Sequence, residues 1–301
     1  MKTVPQGASS RRLHRPSGLA LAAALALTLS ATAAELRDIR SVAPDLTTPS
    51  LTDEAPAAGR RVREAVAGYD SNFVYHALHL PLNWRPGRKF PVIFEYAGNG
   101  GYTNRFGDVC DGRPEGCNLG YGISEGWNYI WVCLPYVAVT NGQKELASKW
   151  WGDVEETVRY CKLAVRHVAG RYGGDTNALF LAGFSRGAIA CNFIGLHDDE
   201  IARLWRGFIC HSHYDGVRTN WPYAGADLAS ALTRLKRLAN RPQWISQEGS
   251  VEATRSYLES VGAPGKFTFV PLPYRNHTDA WVLRPIPERE HLRRWVADTL
   301  R

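Results

Sequence analysis

A five-residue motif near the middle of the chain constrains the fold more than any other stretch. Residues Gly183 to Gly187 read G-F-S-R-G, directly after the apolar run Ala178 to Ala182 and directly before small residues that favour a helix. The pattern predicts a strand, a sharp turn and a helix, with the hydroxyl of Ser185 presented at the turn. Glycines at both flanks keep side chains out of that crowded turn. Ser185 is therefore the first candidate nucleophile.

The segments around this motif predict an α/β fold with a mostly parallel central sheet flanked by helices. A strand at Tyr129 to Leu134 is followed by a helix that is expected to begin at Asp153 and to stop at Gly173. The apolar positions of that helix recur with the 3.6-residue period of an amphipathic helix. The order strand, helix, strand implies parallel neighbours joined by right-handed crossovers.

Residues 1–34 have the pattern of a secretory signal peptide. Four basic residues between Lys2 and Arg15 precede an uncharged Ala/Leu run from Gly18 to Leu29, and small residues follow. We therefore expect a secreted or periplasmic protein, exported by the Sec or the twin-arginine route. The apolar run is shorter than the roughly 20 residues of a membrane span, so no membrane partner is predicted.

The rest of the chain divides into two segments. Residues 35–68 are rich in Pro, Ala, Thr and Asp and predict a linker or a loosely docked N-terminal arm, and residues 69–301 predict the catalytic domain. Without the leader the net charge falls from +7 to +3, because residues 1–34 hold four basic and no acidic side chains. A charge this small, without a cluster of basic residues, argues against a nucleic-acid partner. Nothing in the sequence indicates the oligomeric state.

A glycine-rich stretch follows an earlier strand. The strand Phe90 to Tyr96 leads directly into Ala97-Gly98-Asn99-Gly100-Gly101. Glycines at a strand end let main-chain N–H groups point into a cavity, which is what an oxyanion hole requires. We expect donors from Asn99 and Gly100, together with the N–H of Arg186 after the candidate nucleophile.

A histidine and several carboxylates complete a candidate triad. His277 follows the last predicted strand, so the serine, the acid and the histidine occur in the chain order of the α/β-hydrolase fold. Glu248 is the favoured acid because it follows the penultimate strand. Asp215, after the preceding strand, is the alternative. Two further carboxylates, Glu252 and Asp279, stay open as minor candidates.

Other side chains predict a binding surface. The long loop Pro135 to Gly152 contains Trp150 and Trp151, which either stack on a substrate or pack beneath the loop. His213, beside Asp215, is a further substrate-binding candidate. The cluster of His211, His213 and Asp215 lacks the spacing of a helical zinc motif, so neither a metal nor another cofactor is predicted.

The six cysteines of an exported chain permit disulfides. Cys110 and Cys117 bracket a polar, turn-rich loop, and a bridge between them is expected. The other four cysteines lie in apolar strands or on helices and read first as buried thiols.

From about Phe73 to its end the chain resembles the secreted esterase branch of the α/β-hydrolase superfamily, including polyhydroxybutyrate depolymerases, feruloyl esterases and acetyl xylan esterases. The resemblance is carried by the strand into Gly98 to Gly101, the motif at Gly183 to Gly187, and Asn276-His277. Two features depart from it: Ala97 replaces the usual histidine of a His-Gly pair, and Gln247-Glu248-Gly249 replaces the usual Gly-x-x-Asp.

The resemblance implies a serine esterase that works through an acyl-enzyme and needs no cofactor. Its expected substrate is an ester-bearing polysaccharide with acetyl or feruloyl groups, or a small ester. A polyester depolymerase is the runner-up. Two other classes remain open: a serine peptidase of the prolyl-oligopeptidase kind, which shares the serine motif and the triad order, and a non-catalytic exported binding protein, which would use the same pocket.

Overall fold

The computed structural model describes residues 35–301. The predicted signal peptide, residues 1–34, lies outside the described residues. Residues 35–301 form twelve strands: β1 Arg61–Glu64, β2 His76–His79, β3 Phe90–Tyr96, β4 Tyr102–Thr103, β5 Val109–Cys110, β6 Ile130–Leu134, β7 Val137–Thr140, β8 Gln143–Leu146, β9 Gly174–Phe184, β10 Gly207–His211, β11 Pro242–Glu248 and β12 Lys266–Leu272. The seven α-helices are α1 Leu119–Ser124, α2 Val154–Tyr172, α3 Arg186–Phe193, α4 Asp199–Ala202, α5 Leu228–Leu235, α6 Glu252–Ser260 and α7 Pro287–Leu300.

Eight strands form one sheet in the order β1-β2-β6-β3-β9-β10-β11-β12. The pairs β1/β2 and β2/β6 are antiparallel, and every other pair is parallel. The predicted α/β fold with a mostly parallel sheet is thus confirmed. Because β3, β9, β10, β11 and β12 run parallel, their C-terminal residues lie at one edge of the sheet. Ligands usually bind at this edge in folds of this kind.

Apolar side chains cover both faces of the sheet. Successive residues of β3 alternate between the two cores, with Phe94 in one and Ile93 in the other. The first core also contains α2 and α3 residues, and the second contains Leu292 and Val296 of α7. Helices therefore bury the sheet on both sides.

The predicted boundaries of α2 are confirmed. The Asp153 side chain accepts a hydrogen bond from the N–H of Glu156, which caps the helix at its first turn. Gly173 ends the helix with φ of 78°, the left-handed conformation that glycine adopts without strain. The chain then turns directly into β9, which carries the serine motif.

The segment 35–68 does not form the linker or loosely docked arm that its composition predicted. Ile39 is 1% exposed and belongs to the second core, and Asp38 forms a salt bridge of 3.3 Å with Arg275. Residues 61–64 form strand β1, which pairs with β2. A few buried apolar side chains and one paired strand attach this segment to the domain, despite its polar average.

Two other predictions differ from the structure. The strand expected from Asn72 onward begins only at His76, because residues 70–73 form a turn. The loop Pro135 to Gly152 contains a β-hairpin, in which β7 pairs with β8.

Among the residues that the structure describes, none of the helices combines the length and the apolar character needed to cross a membrane.

Candidate active site

Ser185 occupies a strained turn between β9 and α3. Its φ of 54° and ψ of −113° lie in a region that L-residues rarely adopt. The flanking glycines are required by close packing, since a Cβ on Gly183 would lie 2.1 Å from the carbonyl of Gly187, and a Cβ on Gly187 would lie 1.9 Å from Tyr96 O. The main-chain N–H of Ser185 donates to His211 O on β10 at 2.8 Å. This geometry matches the strand, sharp turn and helix predicted for the motif.

The structure brings Ser185, His277 and Glu248 together in one hydrogen-bonded chain. The Oγ of Ser185 lies 2.9 Å from Nε2 of His277, and Nδ1 of His277 lies 2.9 Å from Oε1 of Glu248. Glu248 also accepts a hydrogen bond of 2.5 Å from the hydroxyl of Ser212. A nucleophile, a base and an orienting carboxylate in this arrangement can move a proton from the serine to the imidazole.

The carboxyl group of Glu248 is held in its ionised form. Burial alone would raise its pKa, but the hydrogen bond and charge of His277 and the hydroxyl of Ser212 outweigh burial and lower the pKa to about 2. An ionised carboxylate accepts the Nδ1–H of the imidazole and leaves Nε2 free to accept a proton. The electrostatics therefore fix the tautomer that a serine hydrolase uses.

Asp215 takes a different partner. It forms a buried ion pair with Arg234, with the Nε to Oδ2 distance at 2.8 Å and the Nη2 to Oδ1 distance at 3.0 Å. Arg234 also donates to Gly225 O, so the pair anchors the loop after β10. Of the minor candidates, Asp279 accepts hydrogen bonds from Asn118, and Glu252 forms a surface ion pair with Arg255. Of these carboxylates, only Glu248 contacts His277.

The loop that carries His277 is held by a residue that the sequence did not single out. Asp108 accepts the main-chain N–H of His277 and the side-chain amide of Asn276, both at 2.9 Å. Asn276 in turn accepts the N–H of Ile39 at 2.8 Å. Asp108 follows a short turn far from His277 in the chain, and no local pattern marks it.

The oxyanion donors need one correction. The N–H of Gly100 donates to Ser148 O at 2.7 Å, so it is already engaged and is not available to a substrate oxygen. The side-chain oxygen of Asn99 accepts the N–H of Trp150 at 2.8 Å, and Asn99 is one of the residues that line the cavity. Arg186 is the first residue of α3, and the first N–H groups of a helix have no intrahelical acceptor.

The Arg186 side chain ties three loops together behind the serine. Its guanidinium lies 3.8 Å from the ring centroid of Tyr136 and donates to Trp150 O at 2.6 Å and to Gly112 O at 3.0 Å. The side chain is almost completely buried, and burial lowers its pKa. The sequence pattern marks only the main-chain N–H of Arg186 and gives no sign of this role of its side chain.

Of the three residues predicted to bind substrate, two line the cavity and one is buried in the core. Trp150 and His213 line the cavity beside Ser185, and the ring of His213 lies 5.3 Å from that of His277. Trp151 does not line it, because its indole is 3% exposed and stacks on Phe193 with ring centroids 4.5 Å apart. Trp151 therefore belongs to the core, as the packing alternative predicted.

The cavity above the serine has a volume of about 660 Å³. Its walls combine aromatic rings, amides, hydroxyls and arginines: Asn99, Tyr102, Asn104, Arg105, Phe106, Trp150, Ser185, Arg186, Ile189, Ser212, His213, Arg218, Trp221, Gln247, Glu248, Arg275 and His277. The volume of this cavity lies within the range of small-ligand sites, which combine apolar surface with convergent polar groups.

Two further histidines flank the triad. Burial lowers the pKa of His211 and of His213 to about 4, and in each case the nearby charge of His277 acts in the same direction. Both rings are therefore neutral near pH 7. His211 lies within hydrogen-bonding distance of Ser246 Oγ and Thr278 O, while Asp215 pairs with Arg234.

The expected disulfide between Cys110 and Cys117 is absent, and all six thiols are free. Cys110 lies at the end of β5, whereas Cys117 is buried with its sulfur within 4.8 Å of Cys133 and Glu95. This buried trio does not fit a metal ion, because each carboxylate oxygen of Glu95 already accepts two N–H groups. Those donors come from the start of α1 and from Trp131.

Neither a protein-family model nor a curated protein matches the chain. Solved structures do. Esterase B from Lactobacillus rhamnosis is similar with a TM-score of 0.53 and 13% identity, over 82% of this chain and 88% of that one. Thermogutta terrifontis esterase 2, in a form phosphoramylated by tabun, is similar with a TM-score of 0.52 and 15% identity, over 81% and 94%.

A fungal esterase from Rhizomucor miehei is similar at the same level, with a TM-score of 0.51 and 16% identity, over 81% of this chain and 84% of that one. At identities this low, the similarity shows a shared fold and does not show a shared reaction. With its parallel sheet, its strained serine turn and these structural neighbours, the chain has the α/β-hydrolase fold.

Proposed function

We propose that this protein is a serine hydrolase that cleaves carboxylic esters through an acyl-enzyme on Ser185. The observation that carries the proposal is the hydrogen-bonded chain from Ser185 through His277 to Glu248, with 2.9 Å at each step. Its position on a strained turn at the carboxyl edge of a parallel sheet supports the same function. No cofactor takes part in the proposed reaction.

The proposed reaction uses these three residues in turn. The Ser185 hydroxyl attacks the ester carbonyl while Nε2 of His277 takes its proton, and Glu248 stabilises the imidazolium that forms. The main-chain N–H groups of Arg186 and Asn99 hold the oxyanion. His277 then returns the proton to the leaving alcohol. Water, activated by the same imidazole, hydrolyses the acyl-enzyme and releases the acid.

Removal of the Ser185 hydroxyl tests the proposal. Ser185→Ala is expected to abolish hydrolysis of 4-nitrophenyl acetate and covalent labelling by a fluorophosphonate probe. Ser256→Ala, which removes an exposed hydroxyl on α6, is the matched control and keeps both activities. Undiminished turnover by Ser185→Ala would contradict the proposal. Absence of labelling in the wild-type protein would instead favour a non-catalytic binding protein, and cleavage of peptides in preference to esters would favour a peptidase.

We further propose that the natural substrate is an acyl ester on an extracellular polysaccharide. The aromatic side chains that line the cavity, including Trp150 and Trp221, support a sugar ligand. Acetate release from acetylated polysaccharides, ferulate release from methyl ferulate and hydrolysis of polyhydroxybutyrate, measured side by side, separate the candidates. Activity confined to long-chain lipid esters would contradict this assignment.

Export is part of the same proposal. The basic and apolar pattern of residues 1–34 supports a secreted or periplasmic location. N-terminal sequencing of the protein recovered outside the cytoplasm is expected to begin close to Glu35. Recovery of an uncleaved chain in the cytoplasm alone would contradict it.

A further inference from the structure

The cavity above Ser185 has an excess of positive charge that the proposed ester hydrolysis does not use. Arg105, Arg218 and Arg275 line it, whereas Glu248 is the one carboxylate among the described residues that do so. Glu248 is already committed to His277. An unbalanced group of arginines beside a catalytic serine indicates that the ligand itself supplies negative charge.

Two of these arginines have no carboxylate partner within the described part of the chain. Arg218 donates to the side-chain oxygen of Asn220 at 2.7 Å, and Arg105 stacks over the ring of Phe106. Both side chains are exposed, so their guanidinium groups can pair with a ligand carboxylate. Arg275, by contrast, forms an ion pair with Asp38, so its charge is already balanced.

Arg218 also lies beside an aromatic surface. Its guanidinium is 4.0 Å from the ring centroid of Trp221, and the rings of Trp221 and Trp150 lie 5.3 Å apart. A guanidinium stacked over an aromatic ring keeps its N–H groups available to a carboxylate. The indole of Trp150, which also lines the cavity, can pack against the apolar face of a pyranose ring that carries this carboxylate. An aromatic ring and a guanidinium group therefore line the same cavity.

We propose that the polysaccharide cleaved at Ser185 is acidic, that is, an acylated polymer of uronic acids whose free carboxylates bind Arg218 and Arg105. This inference rests on the proposed ester hydrolysis. The scissile ester is an acyl group on a sugar hydroxyl, because a uronate whose own carboxyl was esterified would carry no negative charge for the arginines. Neutral acylated polysaccharides such as acetylated xylan are then the poorer substrates.

A matched pair of polymers tests the inference. Acetate release is measured from acetylated polygalacturonate with free carboxylates and from the same polymer after methyl esterification, which removes the charge and keeps the acetyl groups. The wild-type kcat/KM is expected to be about tenfold higher on the free acid, and this ratio falls toward one as NaCl is raised, because salt screens exposed charges.

Substitution of the two arginines tests whether they cause the preference for the free acid. Arg218→Gln and Arg105→Gln are each expected to reduce the ratio about threefold, and the double variant removes it. Arg203→Gln removes an exposed arginine on a distant part of the surface and keeps the wild-type ratio. The methyl-esterified polymer provides an internal check, because a general loss of folding lowers both rates and leaves the ratio unchanged.

The outcomes separate this inference from the proposed function. Equal rates on the two polymers, or a ratio that persists in the double variant, would overturn the acidic-substrate assignment. Turnover of 4-nitrophenyl acetate without acetate release from either polymer would overturn it as well and leave the ester hydrolase standing. If no ester of any kind is hydrolysed, both proposals fail.

Discussion

The carboxylate of Glu248 lies 2.9 Å from Nδ1 of His277, across an interval of 29 residues that contains α6 and β12. β11 ends at Glu248, and the loop after the adjacent β12 carries the histidine. Because neighbouring parallel strands end at the same edge of the sheet, these two side chains lie next to each other in space although a helix and a strand separate them in the chain. This contact decides which carboxylate orients the imidazole.

Replacement of the two rival acids is expected to give opposite phenotypes. Glu248→Gln should lower kcat on 4-nitrophenyl acetate by roughly 10⁴ with little change in KM, because the imidazole loses its tautomer and its stabilising charge. Asp215→Asn should keep most of kcat but lower the free energy of unfolding by about 3–5 kcal/mol, since it leaves Arg234 buried and unpaired. Steady-state kinetics and urea unfolding of both variants give the answer, and the reverse pattern would make Asp215 the acid.

The side chain of Arg186 is expected to act as a positioning residue. Arg186→Gln frees the carbonyls of Trp150 and Gly112 and should lower kcat/KM for 4-nitrophenyl acetate by on the order of 10². Arg186→Lys, which keeps the charge, should recover part of the loss. The rate of fluorophosphonate labelling should fall in parallel with kcat/KM. A variant that unfolds more easily but labels at the wild-type rate would show a structural role alone.

The glycine beside the serine provides a test of the strained turn. Gly187→Ala places a Cβ 1.9 Å from Tyr96 O, so this variant is expected to fail to fold or to lose activity completely. Gly170→Ala is the matched control, because a Cβ there meets no atom within 4 Å and the residue lies inside α2. Alanine in a helix interior should stabilise the protein by about 0.5–1 kcal/mol. Equal thermal unfolding curves for the two variants would contradict the packing described here.

The lowered pKa of Glu248 predicts a pH-dependent contribution to stability. Folding lowers this pKa from 4.5 to about 2, so the group stabilises the fold above pH 4.5 and loses that effect as the pH falls towards 2. The difference in unfolding free energy between the wild type and Glu248→Gln should therefore be largest near neutral pH, on the order of 3 kcal/mol from this group, and should shrink below pH 4.5. Urea unfolding at pH 6, 4 and 3 measures it. A difference that grows with acidity would refute the assignment.

Local patterns in the sequence were enough to predict the fold class and the placement of two side chains of the candidate site. The glycines around Ser185 exclude side chains from one turn, and the capping residue Asp153 and the stop at Gly173 define one helix. Such features act within a few residues, so they can be read without knowing the partner segments. The positions of Ser185 and His277 after their strands followed from the order of these elements.

What the sequence determined by itself was therefore the backbone frame and the candidates that it carries. Only the tertiary structure decided which candidates meet: Glu248 and not Asp215 at His277, Asp108 beneath the histidine loop, and Ser148 on the N–H of Gly100. The physical reason is that a hydrogen bond or an ion pair forms only when two groups lie about 3 Å apart, to within a few tenths of an ångström, and here the groups belong to segments far apart in the chain. Side chains that look equivalent in the sequence are separated by the packing that brings one of them, and not the other, within reach.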